Sequence, residues 1–224
     1  MPQFQFRDRK DAGQRLAEVL RARDLGEPLV FALPRGGVPV AAEIAAALGC
    51  PLDLVLVRKL GVPQQPELAF GAVVDGQNPE TVLNKDIVQA AGLSQAEINM
   101  VRERELAEID RRRRLYFKDQ PPHNPRGRNV VVVDDGLATG ATARVALHAL
   151  RRAGAKRLIL AVPLAPAETL EALRGEADEI VCLSTPRPFR GVGGSYAAFP
   201  QLTDTDVLGI LESFEIRSAN SSGP

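Results

Sequence analysis

The chain has 224 residues, which is enough for one domain with additional elements or for two small domains. Hydrophobic residues make up 45% of it and charged residues 25%, values that exclude a chain disordered along its whole length. The 28 lysines and arginines balance the 28 aspartates and glutamates, so no global positive field attracts nucleic acid or an acidic membrane surface.

The cysteines and the N-terminus favour a cytoplasmic location. Cys50 and Cys182 lie far apart and form no CxxC pair, which argues against a disulfide framework and a thiolate zinc site and favours a reducing compartment. The first ten residues contain no apolar segment of the kind that a signal peptide needs. No run of about 18 apolar residues occurs, so we expect no membrane-spanning helix.

Six short apolar runs predict β-strands. Most are continuous rather than alternating, a pattern typical of strands buried on both faces of a parallel sheet. The runs cover residues 29–33, 54–57, 70–74, 130–133, 158–162 and 180–183. Helices are predicted over residues 38–48 and 141–153, and a short one opens at Pro166. Strands that alternate with helices predict an α/β fold with a doubly wound, mostly parallel sheet.

Three further segments lie outside this alternation. Residues 11–23 predict an N-terminal helix, and Thr203 is placed to cap a C-terminal one. Residues 94–117 predict a long charged helix, expected on the surface or against a partner because its apolar stripe is narrow. That stripe consists of Ile98, Val101, Ile109 and Tyr116. The polar residues 217–224 predict a disordered tail.

The most informative stretch is the apolar run at 130–133 with the residues that follow it. Asp134 and Asp135 stand directly after this run, at the carboxyl end of the predicted strand. Ligands bind at that edge of an open parallel sheet, and a carboxylate there is costly to bury without a partner. We therefore expect the two acids to bind a ligand, with polyol hydroxyls as suitable partners.

The loop after the acids predicts an anion site. It reads Ala138, Thr139, Gly140, Ala141, Thr142, and it leads directly into a predicted helix. The unpaired amides and the positive dipole at a helix N-terminus bind anions, and a glycine lets the backbone approach closely. A phosphate on these amides and hydroxyls on the nearby acids together describe a sugar phosphate.

This stretch resembles the 5-phosphoribosyl-1-pyrophosphate (PRPP) signature of type I phosphoribosyltransferases. In that family an apolar strand, two acids and two spacers precede a small-Thr-Gly-x-Thr loop. The resemblance implies that Asp134 and Asp135 hold the ribose 2- and 3-hydroxyls and that residues 138–142 hold the 5-phosphate. It covers about residues 28–183, the expected core. A structure with both acids buried in salt links would contradict this assignment.

Two basic motifs extend the resemblance. Arg35, Gly36 and Gly37 occupy the place of the family's pyrophosphate loop, where two amides and a forked guanidinium suit a diphosphate. Arg58 and Lys59, at the expected end of the second strand, match a basic pair that reaches the pyrophosphate. A flexible catalytic loop is then expected within residues 60–68. Together the motifs are similar to a bacterial subgroup whose acceptor is not settled.

The segments around the core are expected to complete the site. Residues 1–27 and 184–216 would form a small hood region, and the second segment would bind the acceptor. Phe189, Val192 and Tyr196 could form a wall for a planar ring, or they could be the core of this small region; both interpretations stay open. Ala138 stands where 6-oxopurine enzymes of the family usually carry aspartate, which disfavours hypoxanthine and guanine and leaves adenine and orotate open.

Two functions follow from the resemblance. The first is an enzyme that binds PRPP with Mg²⁺ and transfers the phosphoribosyl group to a nitrogen of a base or amine, releasing pyrophosphate. Substrate oxygens and water would hold the metal, with no dedicated protein cage. The second is a PRPP-sensing regulator without turnover, whose basic run at 111–114 touches nucleic acid. The oligomeric state stays open, with a homodimer as one candidate.

Overall fold

A computed structural model describes residues 5–75, 79–117 and 121–221 and divides the chain into two compact units. The first unit contains the residues up to Leu54 and those from His123 onward, and we call it the parallel-sheet unit. The second is Val55–Pro122, which we call the antiparallel unit. In sequence, the second unit is inserted into the first.

The parallel-sheet unit is built on five strands, numbered along the whole chain. They are β1 Leu29–Ala32, β2 Leu52–Leu54, β6 Asn129–Val133, β7 Arg157–Leu164 and β8 Glu179–Ser184. Their order is β2-β1-β6-β7-β8, and every pairing is parallel. In β6, the central strand, four consecutive valines are fully buried. A strand with neighbours on both sides and helices on both faces exposes no side chain to water, which explains the unbroken apolar run.

Helices connect these strands and cover the sheet. They are α1 Arg9–Arg21, α2 Gly37–Leu48, α5 Ala141–Arg152, α6 Ala167–Leu173 and α7 Asp204–Ser221, with a short 3-10 helix at Val192–Ser195. Helix α2 packs against both α1 and α7. It ends where Gly49 adopts a left-handed conformation with φ of 62°, as the sequence pattern predicts. The predicted α/β fold with a mostly parallel sheet is confirmed.

The antiparallel unit has its own sheet and its own helices. Its strands are β3 Val57–Val62, β4 Gln65–Val74 and β5 Glu80–Leu83, paired antiparallel in that order, and its helices are α3 Lys85–Ala90 and α4 Gln95–Phe117. Helix α4 packs on β3 and β4. It buries the four predicted apolar residues and one acid, Glu105. The long charged helix is therefore part of a small core and not an isolated surface element.

Two of the six predicted strands were wrong in their placement. The run at 54–57 spans the end of β2 and the start of β3, and the run at 70–74 belongs to the antiparallel strand β4. A short continuous apolar run indicates burial on both faces, but it carries no information about the direction of the neighbouring strand. In the antiparallel unit, α4 packs on β3 and β4 and buries their side chains. The strands of this sheet therefore resemble those of the parallel sheet in sequence.

The C-terminal helix is capped as predicted and is longer than predicted. The Thr203 hydroxyl accepts a hydrogen bond from the Asp206 amide at 3.2 Å, and the Thr203 amide donates to Asp206 Oδ2 at 2.7 Å. This reciprocal arrangement is a capping box. Helix α7 then continues to Ser221, which lies inside the segment 217–224 predicted as a disordered tail. The last residues of that predicted tail, 222–224, lie outside the described residues.

Within the described ranges, no helix combines the length and the apolar content needed to cross a bilayer.

Removal of the capping hydroxyl provides a test of this helix boundary. Thr203→Ala should lower the free energy of unfolding by about 1 kcal/mol, because one amide of the first turn loses its acceptor. Urea denaturation would measure the change. The control is Thr205→Ala, the same substitution at an exposed position two residues further along. Equal losses in the two variants would show that the cap contributes nothing.

Candidate active site

The two acids lie at the carboxyl edge of the parallel sheet. They directly follow β6, whose last residue, Val133, pairs with Ala32 on one side and Ala161 on the other. Asp134 is half-buried and Asp135 is buried. The edge of an open α/β sheet at its central strand is where ligands bind, so the acids occupy the position that the sequence predicted.

Asp135 forms an ion pair that the sequence analysis missed. Arg9, the first residue of α1, donates from Nε to Asp135 Oδ2 at 2.7 Å. Arg9 Nη1 donates to the carbonyl oxygen of Pro200 at 2.9 Å, and the guanidinium lies 3.7 Å from the centroid of the Phe199 ring. Arg9 is 8% exposed. One of the two acids is therefore held in a buried salt link, contrary to the expectation that both are available.

Asp134 differs from its neighbour. Its Oδ1 accepts a hydrogen bond from the Asp135 amide at 2.8 Å, and within the described residues it forms no ion pair. Burial, and next the negative charge of Asp135, hold the pKa of Asp134 well above its usual value. Burial also raises the pKa of Asp135, although Arg9 opposes this effect. The pair thus retains a proton more readily than two separate carboxylates would.

The predicted pyrophosphate loop packs directly against the acids. A Cβ atom at Gly36 would lie 2.1 Å from Asp135 Oδ2, and one at Gly37 would lie 2.5 Å from the Val133 carbonyl oxygen. Glycine is therefore required at both positions by close approach. The Gly37 amide donates to the Leu33 carbonyl at 3.0 Å, so this amide is engaged inside the loop instead of facing a ligand as expected.

The first residue of that loop, Arg35, carries its positive charge. Arg35 Nη1 lies 3.9 Å from Asp204 Oδ1, at the first residue of α7. Both side chains are about one-third exposed, at 37% and 31%. Ion pairs of this length and exposure contribute little to stability, so an anionic ligand can compete for the guanidinium.

The predicted phosphate loop presents its backbone at the start of α5. Ala138 and Thr139 are exposed, and Gly140 has a left-handed φ of 70° as the N-cap residue, with no side-chain cap. The Thr169 hydroxyl donates to the Ala138 carbonyl at 2.6 Å, which anchors the loop on α6. In the described part of the chain, the Thr142 amide has no acceptor. These features fit an anion site at a helix N-terminus.

The three predicted acceptor residues separate into two kinds. Tyr196 is only 2% exposed, its ring stacks on Phe199 with centroids 4.9 Å apart, and its hydroxyl donates to the Asp135 carbonyl at 2.6 Å. Tyr196 is thus a core residue, and the wall interpretation is wrong for it. Phe189 and Val192 are partly buried against the same cluster. A Cβ atom at Gly136 would lie 2.6 Å from Val192 Cγ1, which puts Val192 beside the acid loop.

The basic pair belongs to the antiparallel unit. Arg58 and Lys59 lie within β3, opposite Val73 and Ala72, and not at the end of a parallel strand as predicted. An apolar run that crosses from one sheet to the next concealed this boundary. The predicted catalytic loop within 60–68 is the hairpin between β3 and β4, whose residues 63–68 are exposed.

Arg58 has a buried partner that no motif predicted. Its Nε and Nη2 bind Glu105 Oε2 at 2.8 and 2.7 Å, and Arg104 Nη2 binds Glu105 Oε1 at 2.9 Å. Glu105 is 6% exposed. An acid within the apolar stripe of α4 was the available signal, because a buried carboxylate needs a cationic partner.

The contact between Gly36 and Asp135 can be tested by adding one methyl group. Gly36→Ala should lower the free energy of unfolding by about 1–3 kcal/mol, because the new Cβ atom must displace the carboxylate or the loop. The control is Gly175→Ala, where a Cβ atom would meet nothing within 4 Å. Chemical denaturation would measure the free energy of unfolding of both variants. Similar values for the two would contradict the close contact between Gly36 and Asp135.

Comparison with known proteins identifies the family to which the chain belongs. The profile of the phosphoribosyl transferase domain matches residues 5–196. A Mycobacterium tuberculosis protein named, provisionally, a phosphoribosyl transferase is 45% identical over 207 residues, which are 92% of this chain and 46% of that protein. The chain thus spans about half the length of such relatives. The crystal structure of TT1426 from Thermus thermophilus is 42% identical, with a TM-score of 0.81 over 94% of this chain and 99% of that one. The chain belongs to the phosphoribosyl transferase family.

Proposed function

We propose that this chain binds PRPP with Mg²⁺ and transfers its 5-phosphoribosyl group to a nitrogen nucleophile, releasing pyrophosphate. The observation that carries the proposal is the convergence of two loops at the carboxyl edge of one sheet. The loop between β6 and α5 contains the acid Asp134 and the helix start at Gly140, and the loop between β1 and α2 contains Gly36, which packs against Asp135. Family membership supports the reaction class.

The ribose and its phosphate would use different chemistry. The 5-phosphate would bind the residues 138–142, where backbone amides and the hydroxyls of Thr139 and Thr142 supply donors. The ribose hydroxyls would donate to the carboxylates of Asp134 and Asp135. Asp134, which is half-buried and has no ion pair within the described residues, is the more accessible of the two.

The departing pyrophosphate needs positive partners. Arg35 would leave its long contact with Asp204 for the diphosphate, and the Gly36 amide would add a neutral donor. Arg58 and Lys59 are assigned to the same leaving group by the resemblance, with Glu105 fixing the orientation of Arg58. Preorganised donors of this kind contribute about 3–4 kcal/mol each in enzymes where one has been removed.

The sugar would develop positive charge as the pyrophosphate leaves. A carboxylate close to the ribose ring stabilises an oxocarbenium-like transition state, which gives Asp134 an electrostatic role besides binding. Mg²⁺ bound with PRPP would neutralise part of the negative charge of the diphosphate. Across the described residues, no group of three or more His, Cys, Asp or Glu side chains is arranged to hold a metal. We expect substrate oxygens and water to provide most of its ligands, because Mg²⁺ in such sites usually retains several waters and binds few protein groups.

The acceptor is the open part of the proposal. Ala138 removes the aspartate that 6-oxopurine enzymes usually carry, which disfavours hypoxanthine and guanine. The partly buried Phe189 and Val192 remain candidates for an acceptor contact. We expect the reaction in the cytoplasm, and a homodimer is one assembly in which the protein would carry it out.

The alternative is a PRPP sensor that binds nucleic acid through residues 111–114. Arg111 and Arg112 both bind Glu108, and Arg113 binds Asp75. These ion pairs reduce the positive field that the run offers to a phosphate backbone. The enzyme is therefore the better supported of the two functions.

PRPP binding is testable by thermal unfolding. PRPP with Mg²⁺ should raise Tm, because a ligand at about 100-fold over its Kd adds about 2.7 kcal/mol to stability. Asp134→Asn combined with Asp135→Asn should abolish the rise while the variant still unfolds cooperatively, since neutral amides lose the charged acceptors for the ribose hydroxyls. The double variant Asp24→Asn with Glu27→Gln removes the same charge from exposed positions and should keep the rise. A rise that survives the first double variant would contradict the ribose assignment.

A second experiment distinguishes an enzyme that turns over PRPP from a regulator that only binds it. The protein with PRPP and Mg²⁺ should release pyrophosphate when supplied with the correct acceptor from a panel of nucleobases and amines. Hypoxanthine and guanine should be inactive because of Ala138. A gel shift with RNA run in parallel tests the sensor. PRPP-dependent RNA binding without pyrophosphate release on any acceptor would favour the regulator.

A further inference from the structure

Arg9 is a buried arginine held by two separate parts of the parallel-sheet unit, the loop after β6 and the residues Phe199 and Pro200. Asp135 binds its Nε, the Pro200 carbonyl binds its Nη1, and the Phe199 ring lies against its guanidinium. A buried charge is tolerated only with such partners, and removal of one partner is strongly destabilising. The position of Arg9 is therefore determined before any ligand arrives.

We propose that Arg9 is a positioning residue for the ribose site, which fixes the Asp135 carboxylate and keeps it in the charged form that accepts a ribose hydroxyl. The proposal rests on the function proposed above. Arg9 itself would not contact the ligand in this proposal, because its side chain is enclosed by Asp135, Phe199 and the Pro200 carbonyl.

Contacts on two sides hold the Asp135 carboxylate in one orientation. Arg9 Nε holds Oδ2 at 2.7 Å, and the backbone of Gly36 leaves no space for a Cβ atom beside the same oxygen. The Tyr196 hydroxyl, at 2.6 Å from the Asp135 carbonyl, holds the backbone of the acid loop. Rotation of the carboxylate would break the ion pair, so its orientation towards a ligand is set.

The charge of Asp135 depends on the groups that face it. Burial raises the pKa of Asp135, whereas Arg9 from α1, the cation that faces it, and a hydrogen bond with Asp134 from the same loop lower it. Gly36 and Tyr196, from the other packed segments, contribute neutral groups. Without Arg9, the Asp135 carboxyl would therefore hold its proton to a higher pH, and a protonated carboxyl is a weaker acceptor for a ribose hydroxyl.

The experiment compares PRPP affinity of the wild type, Arg9→Met and Arg9→Lys by calorimetry with Mg²⁺ from about pH 5.5 to about pH 9. Arg15→Met is the matched control, because Arg15 lies on the same helix, binds Asp11 at 2.9 Å and also lies over an aromatic ring, that of Phe6. The protonation of PRPP itself changes with pH in the same way for every variant. Any difference between the pH profiles of PRPP affinity therefore comes from the protein.

Arg9→Met should weaken PRPP binding most at the acidic end of this range, because the raised pKa of Asp135 leaves a larger fraction of its carboxyl protonated there. The loss should shrink as the pH rises, because the carboxylate ionises again above its raised pKa. Arg9→Lys should retain much of the affinity since it keeps the charge, and Arg15→Met should match the wild type. An unchanged profile, or an equal loss at every pH, would overturn the proposal.

A ligand-free measurement separates this proposal from the proposed function. Carboxyl NMR should place the titration midpoint of Asp135 at a higher pH in Arg9→Met than in the wild type, and an unshifted midpoint would refute the role of Arg9. Failure of the wild type to bind PRPP would instead overturn the proposed function. Should Arg9→Met not fold, Phe199→Leu removes the supporting ring, keeps both charges, and should cause a smaller change of the same sign in both measurements.

Discussion

The buried contact between Asp135 and Arg9 organises the edge of the sheet on which the candidate site is built. The central strand β6 delivers the acid to this edge, the first turn of α1 supplies the cation, and the loop before α2 closes against the carboxylate through Gly36. A carboxylate at this depth is stable only because these partners replace the water that it has lost. Three segments distant in sequence are thereby held around one oxygen atom.

Electrostatic balance at the candidate site explains how an electrically neutral chain could bind a polyanion. Two proposed ligand-binding charges of the parallel-sheet unit have an internal counter-charge, Asp135 with Arg9 and Arg35 with Asp204. Within the antiparallel unit, Arg58 likewise pairs with Glu105. The pairs differ in length, and the 3.9 Å contact of Arg35 is the weakest. Backbone amides at the start of α5 add donors that need no net charge. Selectivity for a phosphorylated sugar would then come from local geometry instead of a long-range field.

The aromatic cluster behind the acids has a supporting role that its sequence does not reveal. Tyr196 and Phe199 stack on each other, and together they contact the Asp135 backbone and the Arg9 guanidinium. The segment expected to bind the acceptor therefore supports the loop of Asp134 and Asp135 from behind. Because the cluster also includes Phe6, the start of the chain and the region near residue 196 are coupled to the same loop.

The sequence by itself determined the local features of this protein. Four consecutive valines predicted the central strand, the acid pair and the Thr-Gly loop predicted the position of the candidate site, and periodicity predicted the buried stripe of α4, as the structure has them. Each feature depends on residues adjacent along the chain, where strand and helix geometry act directly. Tertiary structure alone decided the direction of the strand containing 70–74 and the partner of Asp135, which lies 126 residues away. Such choices depend on which segments the fold brings together, and no local pattern encodes that proximity.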